Sequence, residues 1–438
     1  MTSPYHRLLA LRHAPRELWL VYGLKVLESF SYFVSSLNLT PFLTSEFGLT
    51  DAEAGAVYSA WGVIAGVIGL VVGPAIDWLG VRPSLLIGGL LLTLGRALFA
   101  GATSTSQVYV SLFLLQPIGM TLAIPVLSVA IRRVTTDETR ATAYGVFYSM
   151  MNVAALVSGL GTDALRSAIV HDTSNDVAAL RMLFWLSTAV SALYLLVAAA
   201  AFRPLPAPDA EALEPGERVS MLQEARETAR DPVFWRLVVF SGVIFGARSI
   251  FRHVDASLPK WMEREIGPAA RYGTVYSINP AIIIFAVPLL QARLADRDPY
   301  TCIVVGTALT TLAPLALALL PASYAAAVLF MLLLSAGEAT YSPRLYEYAM
   351  VLAPPGKEGL YGSLAAAPLF LVQVLGGGLG GELLAIYCPA EPPRRCQTMW
   401  LIIAATAATT PAGLVCMRNW LYNSEVRRRI QCGNDQPP

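Results

Sequence analysis

Long apolar runs broken by short polar stretches fill almost the whole chain. They fall at about 18–43, 55–76, 83–101, 107–131, 141–161, 182–202, 235–256, 271–291, 300–320, 325–346, 360–386 and 398–421. Each is near the ~20 residues with which a helix crosses ~30 Å of hydrocarbon, so the pattern predicts an all-α membrane protein with twelve transmembrane helices. After the sixth run the pattern lapses. Residues 204–234 are rich in Pro, Glu and Arg, and 217–230 read as a polar amphipathic helix lying on the membrane face. The predicted organisation is an N-terminal six-helix bundle (1–203), a cytoplasmic linker (204–234) and a C-terminal six-helix bundle with a cytoplasmic tail (235–438).

The interruptions inside the runs are more informative than the runs. A charge at the bilayer centre costs ~2.5 kcal/mol or more, and ionisable residues there are functional candidates by default. In the first run Lys25, Glu28, Tyr32 and Ser36 are spaced by three, four and four, which places them on one helix face. A self-neutralising Lys25 to Glu28 pair is the competing reading. In the seventh run Arg248, Arg252 and Asp255 share a face in the same way. Arg248 falls ~20 Å deep at 1.5 Å per residue, near the midplane, where its planar fork suits a carboxylate or phosphate. Arg252 with Asp255 is expected at an outer gate; an ion-pair network between helices is the alternative for all three. "GEATYSPRLYEY" at 337–348 puts Glu338 mid-membrane, and Arg344 with Glu347 nearer the cytoplasmic end as an inner gate or a snorkelling pair.

Composition changes this picture by exclusion. With 438 residues, 55% of them hydrophobic and 14% charged, and a mean hydropathy of +0.56, the chain is too oily for a soluble protein of this length. The net charge of +1 says nothing about partners. Its distribution is more useful: Arg7, Arg12 and Arg16 precede the first run, Arg427, Arg428 and Arg429 follow the last, and the loop "TSEFGLTDAE" has no basic residue. By the positive-inside rule both termini are cytoplasmic. No cleavable leader is expected, since the N-terminus lacks an apolar core followed by a small-residue site. No nucleophile triad, metal-spaced His and Cys cluster, phosphate-cradling loop or nucleic-acid motif occurs; "GGGLGG" at 376–381 lies inside a run, where close helix packing accounts for it. The expectation is a non-enzyme without cofactor or metal, monomeric in the lipid bilayer. Cys388 and Cys396 fall in the predicted outer loop between the last two runs, where a disulfide is chemically permitted and two free thiols are the alternative.

The two halves share an element. "GPAIDWLGVRP" at 73–83 and "QARLADRDP" at 291–299 close the second run of each half, and such repetition places a binding site between the halves. Asp77 then faces the N-terminal end of the eleventh helix near Gly359, and Asp296 that of the fifth near Ala141, as latches on the cytoplasmic side; two turn-forming aspartates are the alternative. The first element resembles the loop of the major facilitator superfamily, with Gly73, Asp77, Gly80 and Arg82 matching and Trp78 at an Arg position. That resemblance covers essentially all the runs and implies a twelve-helix secondary transporter working by alternating access.

A narrower likeness is to the proton-coupled oligopeptide transporter family. "VFYSMMNVAA" is similar to its fifth-helix signature, with Asn152 at the Asn; "YSINPAIIIFAVPLL" is similar to its Asn-Pro segment and puts Asn279 on the pocket; "GEATYSP" resembles its Gly-Glu-x-x-x-Ser-Pro segment, with Glu338 and Ser342 at pocket positions. The likeness implies that Glu338 takes the amino end of a substrate. "KVLESFSYF" departs from the family's first-helix motif: Lys25 stands at the first Glu, Glu28 keeps the second, Ser29 replaces the Arg and Tyr32 survives. Ile124 stands where a lysine precedes a proline. The expected partner is a small polar solute (amino acid, short peptide or organic acid), held by Tyr32, Asn152, Arg248, Asn279, Glu338 and Ser342. The proton is the expected coupling ion, on Glu28 and Glu338. Gating falls to Lys25, Asp77, Arg252, Asp255, Asp296, Arg344 and Glu347. An uncoupled carrier and a solute-binding sensor that does not transport stay open.

Overall fold

The computed structural model describes residues 11–173, 176–204, 230–294, 297–352, 372, 378–423 and 426. Its helices are numbered here in chain order: α1 (Arg16–Phe47), α2 (Asp51–Leu79), α3 (Val81–Ala100), α4 (Thr105–Val134, with a π turn at Ser111–Leu115), α5 (Asp137–Thr173) and α6 (Asp176–Ala201). Beyond the linker come α7 (Pro232–Ala256), α8 (Leu258–Glu265), α9 (Tyr272–Leu294), α10 (Pro299–Leu319), α11 (Tyr324–Leu352), α12 (Gly380–Tyr387) and α13 (Cys396–Cys416). Among the described residues nine helices are long and apolar enough to cross a membrane. Although 32 residues long, α1 is not one of them, because its buried face carries Lys25, Glu28, Ser29, Ser31, Ser35, Ser36 and Asn38. Most of the eleventh predicted span, and the linker apart from 204 and 230–234, lie outside the described residues.

The buried apolar residues sort by position in the chain. Two clusters draw on residues 11–202, joined only by Ala256 from beyond. Two others draw on residues 233–426, joined by Leu37 and Ala155. The two sets meet where α5 packs on α9, α2 on α12 and α1 on α7. The α5/α9 crossing is the tightest: a Cβ built on Gly273 would stand 2.2 Å from the Gly159 carbonyl oxygen, so only bare glycine backbones allow it. Gly48 ends α1 with φ of 65°, and its N–H returns to the Leu43 carbonyl. This turn delivers the chain to Asp51, the first residue of α2.

Candidate functional site

The polar stripe of α1 opens on a cavity of about 190 Å³. Lys25, Glu28, Ser29, Tyr32 and Phe33 form one wall; Trp61, Gly62 and Ala65 of α2, Met120 and Ile124 of α4 and Met151 of α5 form the others. Lys25 and Glu28 are 6% and 2% exposed, and their charged atoms stand 3.6 Å apart. The ammonium also lies 5.3 Å from the centre of the Phe147 ring. Ser29 donates to Glu28 Oε2 at 3.3 Å, while the buried Glu28 Oε1 has no hydrogen-bond partner. Tyr32 and Trp61 pack ring to ring at 5.6 Å. Behind this wall Arg96 of α3 is buried within electrostatic reach of Glu28 and donates to Ser191.

A second polar group lies in the C-terminal helices. Asn279 donates to Glu338 at 2.8 Å and to Ser335 at 3.1 Å. Arg248 donates to Ser342 at 3.3 Å and stands over the Tyr341 ring at 5.4 Å. None of these four expected pocket residues lines the cavity on α1. Asn152 does not line it either; its amide donates to the Tyr148 carbonyl of its own helix at 3.0 Å. Arg344 donates to the Leu294 carbonyl at the end of α9, at 2.6 Å. The side chains of Asp77 and Glu347, and all of Asp296, lie outside the described residues.

Beyond the cavity, where α1 ends and α2 begins, the two sets of helices are bolted together. Asp51 accepts from Lys260 at 2.9 Å and from Arg264 at 2.8 and 2.7 Å; Lys260 also reaches Thr44. Burial pulls Lys260 below the usual lysine range, against the upward pull of Asp51. Arg166 pairs with Glu263 at 2.8 Å, and Asp163 caps the start of α9 by accepting from the Gly273 and Thr274 amides at 3.1 and 2.6 Å. One step deeper, Asp255 accepts from Tyr58 at 2.9 Å and Ser36 at 3.3 Å, beside Arg252 at 3.4 Å. Three ion pairs between residues 11–204 and 230–426, Arg166 with Glu263, Lys260 with Asp51 and Arg264 with Asp51, run through α8. Outside it, Cys388 and Cys396 form a disulfide; Arg264 donates to the Cys388 carbonyl, and Arg394 donates to the Arg264 carbonyl.

Spacing along α1 and α7 identified Lys25, Glu28, Tyr32, Arg252 and Asp255. It missed Arg96, Asp163 and the whole of α8. The local signal for α8 is present in "SLPKWMERE": Ser257 precedes the helix, Pro259 sits in its first turn, and Lys260 and Arg264 are four apart on one face.

Comparison with known proteins agrees with this architecture. A sequence model described as Major Facilitator Superfamily matches residues 21–422. Two di-/tripeptide transporters, from Lactococcus lactis subsp. cremoris and L. lactis subsp. lactis (strain IL1403), are each 26% identical over 180 residues, which is 39% of this chain and 36% of theirs. The match thus spans about a third of those relatives' length. A POT family transporter in complex with 5-aminolevulinic acid superposes with a TM-score of 0.73 at 15% identity, over 93% of this chain and 97% of that one. A mutant POT peptide transporter with sulfate gives 0.72 at 18%, over 93% and 95%. A nucleoside transporter mutant gives 0.70 at 15%, over 91% and 99%. These likenesses show a shared fold, and they span different solutes. The chain belongs to the Major Facilitator Superfamily, a family of membrane transporters rather than enzymes.

Proposed function

We propose, from this membership, that the chain is a secondary transporter that moves a small polar solute (amino acid, short peptide or organic acid) by alternating access between an N-terminal and a C-terminal bundle. The observation that carries the reading is the Lys25 and Glu28 pair, buried in α1 yet facing a cavity. Ionisable groups persist there when they serve a solute or an ion path. The di-/tripeptide transporters of L. lactis support a solute in this size range. In this reading the bolts around α8 are the outer gate in its shut state, and the cavity is approached from the cytoplasmic side, where both termini lie. Arg252 and Asp255 belong to that gate, and Asp77, Asp296, Arg344 and Glu347 to its inner counterpart. Arg248, Asn279, Glu338 and Ser342 hold the far side of the solute when the bundles close on it, with Tyr32 and Asn152 on the near side.

Protons are the coupling ion in this reading, with Glu28 and Glu338 as the groups that take them up. Counterflow in proteoliposomes, with amino acids, di- and tripeptides and organic acids on either side, tests the transport claim. Glu338→Gln tests the coupling claim: counterflow should persist, while accumulation driven by a pH gradient should fall to background. Full accumulation by that variant would remove Glu338 from the proton path. Lys25 at the position of an acid, and Ser29 at that of an arginine, favour an uncoupled carrier as the second reading; it predicts counterflow that ignores the pH gradient in the unaltered protein.

A further inference from the structure

We infer that the cavity on α1 receives the zwitterionic head of a single apolar amino acid, with its carboxylate on Lys25 and its ammonium on Glu28. The inference rests on the reading of this cavity as the solute site and names its solute. The first argument is unmet hydrogen bonding. A lysine ammonium has three N–H donors, and its carboxylate partner Glu28 stands 3.6 Å from Lys25 Nζ, beyond hydrogen-bond length. The carboxylate is incomplete in the complementary sense: Oε2 accepts from Ser29, while Oε1 is buried and accepts from nothing. Leaving such groups unsatisfied is costly. A ligand that brings one acceptor and one donor removes both deficits.

Spacing and size narrow the ligand. An amino acid carries its ammonium and carboxylate on one carbon, which suits two protein charges only 3.6 Å apart. Each further residue in a peptide can move its two ends apart by about 3.3–3.6 Å, so a peptide engages one charge and leaves the other. The cavity, about 190 Å³, is below the ~300–1,000 Å³ of sites for drug-sized ligands. Its remaining walls are supplied mainly by Phe33, Trp61, Ala65, Met120, Ile124 and Met151, which offer a ligand side chain no charge and two adaptable thioethers. A solute ammonium and a proton compete for Glu28, so solute binding at this cavity displaces a proton from it.

The test uses the full chain purified in detergent and its thermal unfolding midpoint. The probes are L-leucine, L-methionine and L-phenylalanine, each beside the amine that lacks its carboxylate and the acid that lacks its ammonium, with leucyl-leucine as the peptide. At least one of the three amino acids should stabilise at a concentration about ten-fold or more below that needed for its amine, its acid or the dipeptide, since each lost charged contact is worth at least that factor. Lys25→Gln should erase the advantage of amino acid over amine, and Glu28→Gln that of amino acid over acid. An amine or acid equal to its parent, a dipeptide stronger than all three, or no stabilisation by any of them overturns the inference. The probe series on the unaltered protein decides the matter even if either variant fails to fold. Counterflow separates the two readings: dipeptide exchange without amino-acid exchange sinks this inference and leaves a transporter, whereas amino-acid binding without exchange of any solute sinks the transporter and leaves the site.

Discussion

Asp51 and Glu28 are both carboxylates facing cations, and they are treated in opposite ways. Both oxygens of Asp51 are engaged, by two cations that approach to 2.7–2.9 Å. Glu28 keeps one oxygen bare and its cation at 3.6 Å. Saturation is what an anion needs if its task is to hold two bodies together, because a buried charge with excellent geometry recovers its desolvation cost. Incompleteness suits a group whose partner arrives later. The two regions therefore differ less in charge than in how much of their bonding capacity is already used.

The largest effect should come from breaking the saturated pair. Asp51→Ala leaves Lys260 and Arg264 without their anion, and removing one member of a buried pair costs about 3–5 kcal/mol. The unfolding midpoint should fall, and a cysteine placed at Tyr58, which is fully buried, should become reactive to thiol reagents. Retention of the midpoint would mean that α8 is not the bolt. Next in size, Gly159→Leu forces side-chain atoms into the Gly273 backbone and Ser277, and overpacking of this kind costs about 1–3 kcal/mol; a lower midpoint in thermal melts checks it. Glu28→Gln should lower the midpoint by less than Asp51→Ala does, because Glu28 faces its cation at 3.6 Å with one oxygen unbonded whereas Asp51 is fully engaged, while solute binding suffers. A large stability loss there would erase the distinction between the two carboxylates.

The smallest effect concerns Asp298, a second saturated anion at the start of α10. Burial pushes its carboxyl up, but donors from Thr301 and Tyr422 outweigh this and hold it below the usual carboxylate range. A lowered acid stabilises the fold above its unfolded value, and that contribution disappears as pH falls through the folded one. Acid titration of the unaltered chain against Asp298→Asn, followed by melting, should show a difference of under about 1 kcal/mol that vanishes at the acid end.

The helical spacing of α1 was legible because it is local: three residues of one stripe, Lys25, Glu28 and Tyr32, line the cavity, and Ser36 continues it to Asp255. Arg252 and Asp255 were legible for the same reason. Partnership across the fold was not. Nothing near Asp51 in the chain announces residues 209 and 213 positions away, and Asp163 finds the start of α9 only when α5 and α9 cross. Arg96 shows in the sequence as a lone charge in an apolar run, without the periodic companions that made α1 and α7 stand out. The grouping of Arg248, Asn279, Glu338 and Ser342 apart from the cavity likewise depends on how α7, α9 and α11 pack.

The loop closed by Cys388 and Cys396 takes one guanidinium nitrogen of Arg264 while Asp51 takes the other. Tugging on that loop from without therefore tugs on the fastening itself. If the alternating-access reading holds, an antibody fragment or engineered binder raised against residues 388–396 would act as a handle on the door rather than a label on the wall, arresting the protein in whichever posture it was captured.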